Sequence, residues 1–101
     1  MNGDEKVACR TPSSGRSGVT NIPKWKYDAV RAAIVQILND AGTDGFPFSD
    51  LPGAVSAQLP KDVLNKLGSV GWHTTTVKLN LEVEGEIKRL SGVTPQRLVL
   101  A

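Results

Sequence analysis

Helices first and a strand hairpin last, an α+β architecture, is what this chain of 101 residues predicts. Three observations lead there. The stretch "KWKYDAVRAAIVQILND" places apolar residues at helical spacing, and two shorter apolar runs bounded by proline or glycine follow it. At the C-terminus "EIKRL" and "RLVLA" alternate apolar with polar residues on either side of "SGVTPQ", whose Ser-Gly and Pro punctuate a turn.

The first helix follows Asn21 and Pro23, and proline suits a first turn because its missing N–H has no intrahelical partner there. Tyr27, Val30, Ile34, Ile37 and Leu38 share one face, Asp28, Arg31 and Asp40 point elsewhere, and Gly42 is the expected stop. "GTDGFPF" reads as a connector, after which Ser49 is placed to cap a short helix, "DLPGAVSAQL", with Leu51, Val55 and Leu59 every fourth residue. Pro60 ends that run and opens another short helix, "PKDVLNKLG", which supplies Val63, Leu64 and Leu67 before Gly68.

The stretch "TTTVKLNLEVEGEIKRL", residues 74–90, reads two ways. Val77, Leu79, Leu81 and Val83 alternate with polar residues after a β-branched run, as a half-buried strand would. On a helical wheel Val70, Val77 and Leu81 instead lie on one side and Trp72, Leu79 and Val83 nearly opposite. Such a helix is expected to be buried on two sides, with a narrow open strip of Thr75, Lys78 and Glu82 and with Thr74 at its margin.

Composition sets the remaining bounds. With 40% hydrophobic and 22% charged residues the chain suits one small globular domain. Residues 1–20 hold little apolar content beyond Val7, Ala8 and Val19, so they are expected to form a flexible basic N-terminal arm, with the folded domain spanning 21–101. Up to Arg31 there are six basic residues against three acidic ones, which leaves six against seven in the remainder. Any pull on a polyanion would therefore come mainly from the arm and the start of the first helix.

No apolar run reaches the roughly 18 residues of a membrane span, and "MNGDEKVACR" has no signal-peptide core, so a cytoplasmic protein with no membrane partner is expected. Cys9 is the single cysteine and is read as a reduced thiol on the mobile arm.

The pattern in which a leucine stands four residues before a glycine, and an aliphatic residue two after it, resembles winged helix-turn-helix domains at the end of the third helix and the first wing strand. Leu81, Gly85 and Ile87 occupy those positions, with Lys88 and Arg89 following. More widely, "TPSSGR", the "KY" of Lys26 and Tyr27, "LP" at Leu59 and Pro60, "GW" at Gly71 and Trp72, "TVKLNLEVEG" and "PQRL" resemble a family of small uncharacterised bacterial proteins with a winged-helix-like fold. The resemblance implies a fold rather than an activity. It resolves residues 74–84 as a helix starting between Ser69 and Thr74, and residues 86–90 and 96–100 as the two strands of a wing, after three to four helices.

Little in the sequence assembles a catalyst. His73 is the only histidine and no serine sits in a nucleophile-elbow setting, so a packing or hydrogen-bonding role is expected for His73 and no enzymatic activity. One histidine and one distant cysteine do not make a metal site, Glu82, Glu84 and Glu86 do not converge on a helix face, and no phosphate-loop motif follows Gly42 or Gly45, so no metal or cofactor is implied.

Two functional classes remain. By the winged-helix resemblance, a small bacterial transcriptional regulator would present Thr74, Thr75 and Lys78 to the major groove of double-stranded DNA. Phosphate contacts would come from Lys88, Arg89 and Arg97 on the wing and from Lys24, Lys26 and Arg31. The alternative is a protein-interaction module or homodimer, with Trp72, Leu79 and Val83 as its interface.

Overall fold

The computed structural model describes residues 5–11, 19–92 and 95–101. Among these, helix α1 (Lys24–Ala41) is the longest element. Its buried face is the apolar stripe of the sequence, Tyr27, Val30, Ala33, Ile34, Ile37 and Leu38. Gly42 ends it at φ 68°, donating its N–H to the Leu38 carbonyl, a backbone shape that glycine takes without the steric cost of a Cβ. The two short helices follow as α2 (Leu51–Gln58) and α3 (Lys61–Leu67), the latter opened by Pro60. Ser49 does not cap α2; it lies within a single 3-10 turn, Phe48–Asp50, that leads straight into the helix.

Residues 70–83 form helix α4 (Val70–Val83), so the strand pattern is overruled. Both ends explain why. Ser69 accepts the Trp72 N–H at 3.0 Å through its side chain, which satisfies one of the unpaired donors of the first turn. At the far end the Glu86 N–H reaches the Leu81 carbonyl at 2.9 Å and the Gly85 N–H the Glu82 carbonyl at 3.2 Å. With Gly85 at φ 78° these two bonds make a Schellman closure. The chain then turns into strand β4, and Leu81 and Ile87 both enter the core.

Two small antiparallel sheets complete the domain. One has strand order β3-β5-β4, from β3 (Phe46–Pro47), β4 (Ile87–Arg89) and β5 (Arg97–Leu100). The terminal hairpin pairs Ile87 with Leu100 and Arg89 with Leu98, while the connector residues Phe46 and Pro47 pair with Leu98 and Arg97.

The other sheet corrects the expectation of a flexible arm. Strand β1 (Lys6–Cys9) pairs with β2 (Thr20–Pro23), Val7 opposite Ile22 and Cys9 opposite Thr20. Cys9 and Ile22 are each only 2% exposed and belong to the core. The thiol is therefore packed rather than carried on a mobile segment. Residues 12–16 of the "TPSSGR" motif, with Arg16, lie outside the described residues, as do 93–94 of the hairpin loop.

One core joins these parts: Val30, Ile34 and Leu38 of α1, Leu51 and Val55 of α2, Leu67 of α3, Val77 and Leu81 of α4, and Leu98 of β5. No helix among the described residues is long and apolar enough to cross a membrane.

Candidate functional site

Helix α4 is buried on one side, not two. Its inward face carries His73, Thr74, Val77, Lys78, Asn80 and Leu81. Trp72 at 48% exposure and Val83 at 38% lie outward, with Leu79, Thr75 and Thr76 partly exposed between them. The outward face thus has an apolar spine flanked by two threonines, with Glu82 at its margin beside Thr75, its side chain 9% exposed and paired with Lys78 and Arg89.

This corrects the placement of two groove-reading candidates. Thr74 is fully buried, and Lys78 is sealed in the interior, its side chain 3% exposed. Its ammonium lies 2.6 Å from Glu82 Oε2, an ion pair without hydrogen-bond alignment, and 4.5 Å from the centroid of the Phe48 ring. Glu82 Oε1 also accepts from Arg89 Nε at 2.8 Å. A charge chain therefore ties the 3-10 turn before α2, the body of α4 and strand β4 together. Glu82, placed by the sequence on an open strip with Lys78, neutralises Lys78 in the interior instead.

All but one of the other basic candidates have partners within the protein as well. Lys24 pairs with Asp28 at 2.7 Å along the exposed side of α1, and the carboxylate raises its pKa. Lys26 Nζ donates to the Leu67 carbonyl at 3.1 Å, at the last turn of α3, where carbonyls lack helical partners. Arg31 donates to Glu86, with Nε at 3.0 Å and Nη2 also in contact, joining α1 to the turn after α4; that hydrogen bond raises its pKa. Arg97 donates to the Asp44 and Gly45 carbonyls at 2.9 and 3.1 Å. Lys88 alone among these candidates is exposed and has no partner among the described residues.

The imidazole of His73 is engaged too. Its Nδ1 lies 2.7 Å from the Ser69 carbonyl, so that nitrogen carries the proton, and its ring meets Trp72 edge-on at 4.8 Å between centroids. The residue stiffens the start of α4, the packing role its sequence setting suggests. Across the helix, Asn80 Nδ2 donates to the Tyr27 hydroxyl at 2.9 Å and Oδ1 accepts the Arg10 N–H at 3.0 Å. One amide thus holds α1 and the end of β1 against α4. Burial is the main cause that raises the pKa of both the Tyr27 phenol and the Cys9 thiol.

Sequence reasoning missed Glu82 as the counter-ion of Lys78 and Asn80 as a connector. The first was readable, since Lys78 and Glu82 stand four residues apart, the spacing at which helix side chains meet. The second was not, because its partners are 53 and 70 positions away.

Fold and surface together define a compact α+β domain of four helices and two small sheets among the described residues, with an uncharged strip along its fourth helix. Residues 6–98 match the profile of a family of unknown function (DUF6958), and the chain belongs to that family. No curated protein and no solved structure matches the chain.

Proposed function

We propose that this is a winged-helix-like protein-interaction module whose outward α4 face pairs with a second copy of the chain. The winged-helix part of the reading is supported by the glycine-closed helix that leads directly into the terminal hairpin, with Leu81 and Ile87 inward. The interaction part is carried by one observation: the outward face of α4 is Trp72, Thr75, Thr76, Leu79 and Val83, and the charges at its margin, Glu82 and Arg89, are paired with each other.

A two-fold axis makes an interface self-complementary. Two α4 helices laid antiparallel across such an axis set Trp72 of each copy against Val83 of its partner and Leu79 against Thr76. The large indole then meets the smaller valine. The strip runs 11 helical steps, or about 17 Å at about 1.5 Å per residue. One helix face is less than the roughly 800 Å² per partner of a stable complex, so a dissociation constant in the micromolar range or weaker is expected.

Sedimentation velocity over a dilution series tests this reading. Wild type should show concentration-dependent dimerisation and Leu79→Asp, folded by circular dichroism, should remain monomeric. A wild type that stays monomeric throughout rules out self-pairing. A duplex-binding reading retains one observation, the exposed and unpartnered Lys88 beside Arg89 on the hairpin. An amide NMR titration with a mixed-sequence duplex at low salt separates it. Salt-sensitive shifts at Lys88 and Arg89, lost in the Lys88→Glu, Arg89→Glu double variant, would favour that second reading.

A further inference from the structure

The hairpin carries a second feature that the α4 strip does not use. Between the end of α1 and strands β4 and β5 lies a groove of about 380 Å³ lined by Leu38, Asn39, Gly42, Thr43, Lys88, Leu90, Val99 and Leu100. Small-molecule sites typically enclose about 300–1,000 Å³ and combine apolar walls with a few placed polar groups. Leu38 and Val99 are buried and Leu90 and Leu100 half-buried, and the lining is mainly apolar. Asn39 and Thr43, both exposed, supply polar groups at the margin.

The sheet register places a cation beside Val99 of that lining. Lys88 pairs directly with Val99, and side chains of directly opposed residues lie side by side on one face of a ladder. Leu90, two positions on, falls on the same face. The methylene stem of Lys88 therefore continues the apolar surface of Val99, and its ammonium stands at the edge. That ammonium is the one cation of the candidate set left without an internal partner among the described residues. An apolar trough with one unanswered positive charge at its edge complements a molecule with an apolar chain and one negative end.

We propose that this groove binds a small aliphatic carboxylate, its chain along Leu38, Val99 and Leu90 and its carboxylate at Lys88. The site is independent of the α4 pairing, since none of its lining residues lies on that helix. Because Lys88 is solvent-exposed, its charge contributes modestly and the chain supplies most of the affinity. Each buried methylene is worth about fourfold in affinity, and an exposed ion pair up to about fivefold.

The test is an amide NMR titration of the full chain with hexanoate, octanoate and octylammonium, each below its micelle-forming concentration. Shifts are expected at Leu38, Asn39, Thr43, Lys88 and Val99. Octanoate should bind roughly 15-fold tighter than hexanoate and a few-fold tighter than octylammonium. Lys88→Gln should erase the preference for the anion, and Thr43→Trp, a substitution at an exposed margin, should fill the groove and abolish the shifts while the rest of the spectrum stays folded. Absent or scattered shifts, equal binding of octylammonium, or full octanoate binding by a folded Thr43→Trp variant would each overturn the proposal.

Discussion

Replacing Glu82 by leucine strands the Lys78 ammonium in the interior with only the Phe48 ring to face, whereas replacing Lys78 by methionine leaves Glu82 still paired with Arg89 at 2.8 Å. The two halves of the pair are therefore unequal. Breaking a buried pair by removing one partner costs about 3–5 kcal/mol, and Glu82→Leu should fall in that range. Lys78→Met keeps a flexible chain of similar length beside Phe48 and leaves a carboxylate whose remaining partner is half-exposed, so about 1 kcal/mol is expected.

The double variant removes both charges from the interior and should recover to within about 1 kcal/mol of wild type, a coupling of at least about 2 kcal/mol. Urea unfolding followed by far-ultraviolet circular dichroism is the suitable assay, because Trp25 and Trp72 both lie at the surface, outside the core whose loss is to be followed. At a slope of about 1–2 kcal/mol per molar urea, Glu82→Leu should lower the midpoint by about 1.5 M or more. Equal losses from the two single variants, or losses that simply add in the double, would refute the account of Lys78 as a buried charge held by Glu82.

Alkaline conditions should weaken the fold through Cys9 and Tyr27. Burial raises both pKa values above the ordinary 9.0 and 10.0, so the folded state keeps protons that the unfolded chain releases. That stability is whole below about pH 9 and falls as pH rises through the ordinary values toward the raised ones. Urea midpoints should drop between about pH 9 and 11, and Cys9→Ala should remove the earlier part of the drop; an unchanged profile in that variant would exclude the thiol. Gly45 and Gly85 both sit at φ 78°, a region that costs an L-residue about 1–2 kcal/mol. A Cβ at Gly85 meets nothing within 4 Å, but at Gly45 it would approach Leu90 Cδ1 at 3.0 Å and the Leu98 carbonyl at 3.1 Å. Gly45→Ala should therefore lower the thermal midpoint by clearly more than Gly85→Ala, and equal effects would contradict the close packing under β5.

What the sequence revealed follows the range of the forces involved. Helix α1 was legible because its apolar stripe, proline entry and glycine stop all act within a few residues. Residues 74–83 were ambiguous because their valines and leucines satisfy both periods, and the local signals at Ser69 and Gly85 decide between them. The wheel of α4 separated its two apolar sides, but the expectation that both would be buried fails, because the core takes only one of them. The choice of the Val77 and Leu81 side carried Thr74 and Lys78 inward with it. Strands β1 and β2 escaped notice because a four-residue strand with one buried side chain has no period to detect. The two residues of β3 are a strand only because Leu98 and Arg97 arrive from fifty positions away.

The single cysteine of this chain is the last residue of strand β1 in the β1–β2 hairpin, opposite Thr20, with only a long 3.9 Å contact to the Val7 carbonyl and closed off from solvent. A thiol so placed is a clock. Its rate of capture by a small disulfide reagent measures how often the hairpin lifts from the body of the domain, without any label having to be introduced. For the same reason, a cysteine engineered on the outer side of α4 would be the fast-reacting one, and the natural protein already provides the quiet background such a probe needs.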